Sequence, residues 1–144
     1  MAKVKKYQLT FDPEYDYEMI GISSHHHDYR LAWNINKHLN FQLSFSSEPF
    51  TIKALRKKVE ELMSFTMFDY SDEENKVNYY LIKNKEAGKL LIPECPTIDY
   101  FLFIHEKEMV DRNEIIKKLR NVPSILAVFQ FEPEELASTE NIFF

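Results

Sequence analysis

Residues 98–131 read IDYFLFIHEKEMVDRNEIIKKLRNVPSILAVFQF, and the three parts of this stretch decide the fold. Ile98–Ile104 is nearly continuous apolar sequence, the pattern of a strand buried on both faces. Asp111, followed three residues later by Glu114, has the form of a capping box, and Ile115, Ile116 and Leu119 then repeat at helical spacing. Asn121–Pro123 stops that helix. Ser124–Phe131, carrying Ile125, Leu126, Val128 and Phe129, is predicted as a second buried strand. Two buried strands joined by one short helix predict a right-handed βαβ crossover.

Upstream, Tyr7, Leu9 and Phe11 alternate as a first strand that ends at Asp12-Pro13, and Glu18–Ile22 is predicted as the next. Leu31, Ile35, His38 and Leu39 fall on one helical face, so a helix is expected from Asp28, with Asp28 as its N-cap and His38 packed in the core. Phe41, Leu43 and Phe45 alternate with polar residues as a half-buried strand. Ile52, Leu55, Val59, Leu62 and Met63 recur at helical spacing, with Lys57, Lys58, Glu60 and Glu61 opposite, and predict a further helix. Phe65, Met67 and Asp69, a polar Ser71–Asn75 turn, and Val77, Tyr79 and Leu81 read as a hairpin. Pro93 and Pro96 remove ladder donors and leave Leu90–Ile92 at most a short edge piece. The expected class is α+β, one domain over residues 1–144. Its sheet is mixed, mostly antiparallel and of about six strands, with two or three helices and a C-terminal βαβ unit.

Composition narrows the function. The 144 residues include only two glycines, Gly21 and Gly88. Sites that cradle phosphate on glycine-rich loops, and the glycine-framed nucleophile elbow, are therefore excluded. A net charge of -5 lacks the footprint of a general nucleic-acid binder. Lys3, Lys5, Lys6 and the Lys53–Lys58 segment leave room for a local basic patch, although solvated charge is the simpler reading. The single cysteine, Cys95, points to a reducing compartment, and the N-terminus has no apolar signal region. The longest apolar stretch, Tyr100–Ile104, is far short of the roughly 20 residues that a membrane span needs. A cytoplasmic protein with no membrane partner and no cofactor is expected.

His25, His26, His27 and Asp28 form the one histidine cluster, with residue types that suit zinc or iron. A further ligand would come from Glu94, Asp99 or His105. Consecutive residues diverge, however, so exposed loop histidines are the expected reading. His105, beside Glu106 and Glu108, has the elements of a general base. Cys95 lies between Glu94 and Pro96, and the neighbouring carboxylate works against a thiolate. The 12 Phe and 8 Tyr are placed at strand period, which assigns them to a core before any base-stacking role. The acidic segments Asp69–Glu74 and Glu132–Glu135 read as solvated loops. Asn141–Phe144 is apolar enough either to dock on the domain or to meet a partner.

Ile92-Pro93-Glu94-Cys95-Pro96-Thr97-Ile98-Asp99-Tyr100 resembles the signature of the IPExxxVDY family of small bacterial proteins, with Ile98 in place of the valine. The match covers nine residues with five literal identities, and Gly21–Leu39, GISSHHHDYRLAWNINKHL, also looks like that family. The resemblance implies a bacterial cytoplasmic protein and carries no activity with it. Physically, Pro93 and Pro96 hold Ile92 and Cys95 extended. Glu94 and Asp99 could then accept unpaired backbone N–H groups, receive Arg30, or form a ligand or partner site with Tyr100. The leading expectation is a non-enzymatic binding or adaptor module, homodimeric through a sheet edge. The alternative is a metal-dependent enzyme using His25–His27 with Glu94 or Asp99. RNA binding by the basic first half stands third. One spatial relationship separates the readings: convergence of the histidines with Glu94 and Asp99 favours the enzyme, and carboxylates bonded to backbone N–H groups make the motif structural.

Overall fold

A computed structural model describes residues 15–105 and 110–144. The strand expected at Tyr7–Phe11 with its Asp12-Pro13 turn, the lysines Lys3, Lys5 and Lys6, and the carboxylates Glu106 and Glu108 lie outside the described residues. The elements run β1 (Tyr17–Ser24), α1 (Asp28–Leu39), β2 (Ser44–Phe45), β3 (Phe50–Arg56), β4 (Val59–Phe65), β5 (Met67–Asp72), β6 (Val77–Lys83), β7 (Lys85–Glu86), β8 (Lys89–Leu90), β9 (Tyr100–His105), α2 (Arg112–Arg120) and β10 (Ile125–Phe131). Two 3-10 turns follow, at Pro133–Glu135 and Ala137–Asn141.

Six of the strands form one sheet in the order β10-β1-β9-β6-β5-β2, and its ladders are antiparallel. The α+β class and the mostly antiparallel six-stranded sheet are as the sequence predicts. β9 and β10 both run antiparallel to β1, so they are parallel to each other, and α2 joins them across the intervening strand.

The apolar run in β9 follows from a core on each side of the sheet. Tyr100, Leu102 and Ile104 meet Leu31 and Ile35 of α1 and Ile115, Ile116 and Leu119 of α2. Phe101 and Phe103 face the other way, toward Ile52, Ala54, Met63 and Phe65 of the β3–β4 hairpin and Leu91, Ile92, Cys95 and Ile98 of the proline-framed crossing. At roughly 1.5–3 kcal/mol for each large apolar side chain buried, no polar residue could hold a place in that strand without a partner. Gly21 lies in β1 because a Cβ there would sit 2.5 Å from Phe131 Cε2, so the aromatic ring takes its place. Ile142 is buried, and Phe144 stacks on Tyr80 with centroids 4.4 Å apart, so this end of the chain docks on the second layer.

Five expectations are corrected. Ile52–Met63 is a hairpin and not a helix: Ile52 pairs with Met63 and Arg56 with Val59, around a Lys57-Lys58 turn with φ 51° and 66°. Positive φ at both central residues is the geometry that lets a two-residue loop follow the strand twist. The helical spacing arises because both hairpin faces carry apolar residues, with Ile52, Ala54, Met63 and Phe65 buried and Leu55 and Leu62 exposed. The strand expected over Phe41–Phe45 contracts to Ser44–Phe45. β10 is an edge strand that pairs with β1 alone, leaving Leu126 and Phe129 exposed. His38 lies outside the buried stripe of α1, with its Nδ1 2.9 Å from the Asn34 carbonyl oxygen. Asp28 is the first residue of α1 and not its cap, because the cap position falls to His27 and makes no side-chain bond. Asp111 does cap α2, accepting from the Asn113 and Glu114 N–H groups. Among the described residues no helix is long and apolar enough to cross a membrane.

Candidate functional site

The proline-framed crossing is held by a residue outside the motif. Asn84 is completely buried; its amide donates to the Cys95 and Ile98 carbonyls at 2.9 and 2.8 Å and accepts from the Ile92 N–H at 2.9 Å. Its backbone N–H donates to the Asp99 carbonyl, and its own carbonyl accepts from Leu91. A side chain with two donors and an acceptor thus replaces the ladder that Pro93 and Pro96 break.

The motif carboxylates are likewise committed. Glu94 accepts from the Ser138 N–H at 2.9 Å and from the Ser138 hydroxyl at 2.5 Å. Burial pushes its carboxyl up, but these hydrogen bonds outweigh burial and the net shift is downward. Asp99 Oδ2 accepts from the Ser24 N–H at 3.0 Å, and its Oδ1 lies 3.8 Å from Lys85 Nζ. The buried Tyr100 hydroxyl reaches Asp28, whose Oδ1 is also 3.6 Å from Lys83 Nζ. Both carboxylates therefore bond to backbone N–H groups, of Ser138 and Ser24.

The histidine loop is fastened elsewhere. The His25 N–H donates to the Ser124 carbonyl at 3.2 Å and the His26 N–H to Ser24 Oγ at 3.1 Å. Asn34 Nδ2 approaches both His26 Nδ1, at 3.3 Å, and Ser124 Oγ, at 3.0 Å. Asp28 turns away from this network toward Tyr100, and Glu94 lies with Ile92 and Cys95 on the opposite face of the sheet. Among the described residues no three His, Cys, Asp or Glu side chains gather as metal ligands would. His105 Nε2 is 3.0 Å from Asp16 Oδ2. Burial, and then Glu94, push the Cys95 thiol up.

Arg30 does not join the motif carboxylates. It lies on the outer side of α1, where the buried stripe Leu31, Ala32, Ile35 and Leu39 leaves Tyr29, Trp33 and Lys37 on one ridge at i, i+4 and i+8. Tyr29 is 64% exposed, Trp33 58%, and Phe45 of β2 50%. Tyr29 packs against Phe45 at 5.6 Å between centroids and edge-on against Phe68 at 5.4 Å, and Lys37 Nζ lies 5.1 Å from the Trp33 ring centre. A groove of about 540 Å³ runs between this ridge and β2, lined by Tyr29, Arg30, Trp33, Asn36, Leu43 and Phe45 among others. A second, of about 590 Å³, adjoins it across Arg30 and Trp33 and reaches His25, His26 and Ser124. Neither lining contains a carboxylate, in a chain with 23 Asp and Glu. Among the described residues Arg30 has no ion-pair partner. The spacing of Tyr29, Trp33 and Lys37 is the signal that could have found this surface in the sequence.

Comparison with protein-family models, curated proteins and solved structures finds no match for this chain. The likeness to the IPExxxVDY family rests on the residues of the signature and of Gly21–Leu39.

Proposed function

We propose that this protein is a non-enzymatic binding module that takes a protein partner along the groove between α1 and β2. The observation that carries the reading is the Tyr29–Trp33–Phe45 surface around Arg30, which has no ion-pair partner among the described residues, in a lining free of carboxylates. Tyr, Trp and Arg dominate the energetics of protein interfaces, and exposed aromatic patches on a lone domain are otherwise a liability. Small-molecule sites cover most of their ligand, whereas rings that are half exposed or more form an open ledge suited to a chain segment. The arrangement of Glu94 and Asp99 on backbone N–H groups supports a folding role for the signature, which leaves the binding role to α1.

The test is affinity capture from native cells, followed by reconstitution of the captured protein with the purified chain. A stoichiometric partner whose binding drops at least tenfold on Trp33→Ala supports the reading. A partner that binds Trp33→Ala equally well, or the absence of one, overturns it.

A further inference from the structure

Beside these side chains the groove offers backbone. β2 lies at the end of the sheet and pairs with β5 alone, Ser44 opposite Asp69 and Phe45 opposite Phe68. The Ser46 N–H donates to the Met67 carbonyl at 3.0 Å. In an antiparallel pair successive residues aim their polar groups at opposite edges, so Ser44 and Ser46 serve β5 while Leu43 and Phe45 serve the open side.

At Leu43 that open side is filled from α1. The Asn36 amide accepts from the Leu43 N–H at 2.8 Å and donates to the Leu43 carbonyl at 2.9 Å, the two bonds that a residue of a neighbouring strand would make. Two residues further along the same edge, the Phe45 N–H and carbonyl have no such partner among the described residues. Phe45 itself lines the groove whose other wall carries Tyr29, Arg30 and Trp33.

Resting on the binding-module reading above, we propose that the groove takes an extended peptide segment of a partner protein, added as a strand to the β2 edge at Phe45, with an acidic side chain against Arg30 and apolar side chains on Trp33 and Tyr29. Strand addition draws affinity from main-chain bonds and specificity from the side-chain sites beside them, and both are present here. The charge of the occupant follows from the lining. Arg30 is the one charged side chain in the lining, Lys37 stands beside it over the Trp33 ring, and no carboxylate joins them, while the chain as a whole carries -5. An acidic segment is drawn to this face, and a basic one is drawn to the rest of the molecule.

A random-peptide display library panned against the full chain supplies the probe, and synthetic copies of the enriched peptides are then measured by fluorescence anisotropy. The enriched peptides are expected to carry Asp or Glu beside alternating apolar residues, and Arg30→Ala to weaken them about tenfold. Phe45→Ala and Phe45→Pro both remove the ring, but only proline removes the outward N–H, so the proline variant is expected to bind a further tenfold or so more weakly. A peptide N-methylated at the residue that pairs with Phe45 should lose a similar factor against the unaltered chain, which needs no variant to fold. Enriched peptides indifferent to both N-methylation and Phe45→Pro overturn strand addition and leave the binding module standing. No enriched peptide, or peptides that survive Trp33→Ala and Arg30→Ala alike, overturn both. Concentration-dependent self-association that Trp33→Ala abolishes makes a second copy the occupant and overturns the peptide assignment.

Discussion

Tyr100 and Asp28 are joined twice: the Tyr100 hydroxyl donates to Asp28 Oδ1 at 2.5 Å and accepts from the Asp28 N–H at 2.6 Å. The bond ties the end of the IPExxxIDY stretch to the end of the histidine run. It also holds Asp28 at φ 39°, a left-handed conformation that a non-glycine residue keeps only when its surroundings over-determine it. Tyr100→Phe keeps the ring in the core, takes the partner from the Asp28 N–H and leaves the Asp28 carboxylate with Lys83 alone. A loss of about 1–3 kcal/mol is expected, read from urea unfolding of the two proteins.

The same hydroxyl sets an alkaline limit. Burial, and then the hydrogen bond to Asp28, push the Tyr100 phenol above its ordinary range; burial does the same to Tyr17 and raises Tyr79 to about 12. An acid whose folded pKa is raised contributes stability that is present below its unfolded pKa and lost as pH rises through the folded one. Stability should therefore hold below pH of about 10 and fall progressively above it. In an alkaline absorbance titration these three phenols should ionise late, together with unfolding. Their titration near the ordinary tyrosine range in a still-folded protein would contradict the burial described.

Asn84→Ala leaves the Ile92 N–H and the Ile98 carbonyl without their partner in a buried site, and leaves the Cys95 carbonyl only the Ile98 N–H at 3.3 Å. At about 1–3 kcal/mol for each orphaned group, a loss of about 3 kcal/mol or more is expected. Asn84→Asp keeps the acceptor but loses both donors and buries a charge, so it should be no milder. Denaturant midpoints of the two variants check this.

Glu94 gives the acid side. Its carboxyl is held below the ordinary range by Ser138, so its contribution is present above the unfolded pKa and lost as pH falls through the folded one. The stability difference between the native protein and Glu94→Gln should be constant at neutral pH and shrink as the pH falls below the ordinary carboxylate range. A difference that does not change with pH would separate Glu94 from Ser138.

The Lys57-Lys58 turn invites a gain. Replacing the pair with Asn-Gly suits positive φ at both positions and should raise stability by about 1 kcal/mol, seen as a higher Tm. In a helix the same change would cost about as much, so its sign also tests the hairpin.

The parts of this fold that were legible in the sequence are those where one signal had one meaning. Ile98–Ile104 is apolar but for Asp99, the pattern of a strand covered on both faces, and Asp111 had a run of helical apolar residues to cap. The β3–β4 hairpin was not legible, because Lys57-Lys58 is not a turn signature and Leu55 and Leu62 place apolar groups on the outer face, turning a period of two into an apparent period of nearly four. At the site, the signature announced Glu94, Asp99 and Tyr100, but nothing near Lys83-Asn84-Lys85 marks Asn84 as the residue that stitches the crossing. Tyr29, Trp33 and Lys37 stood at helical spacing in plain view. Their exposure followed only once Leu31, Ala32, Ile35 and Leu39 were seen to fill the other side.

The place of β1 between β9 and β10 carries a kinetic consequence. Met19 stands opposite Phe103 on one side and Phe131 on the other, so the centre of the sheet is built from segments at opposite ends of the described chain. The β9–α2–β10 unit has no ladder of its own to close, and neither strand gains a neighbour on that side until β1 arrives between them. Domains dominated by such distant pairings fold on the scale of milliseconds to seconds. Substitutions in β1 that leave α1 and α2 untouched, such as Met19→Ala, should therefore slow the folding rate and not merely hasten unfolding.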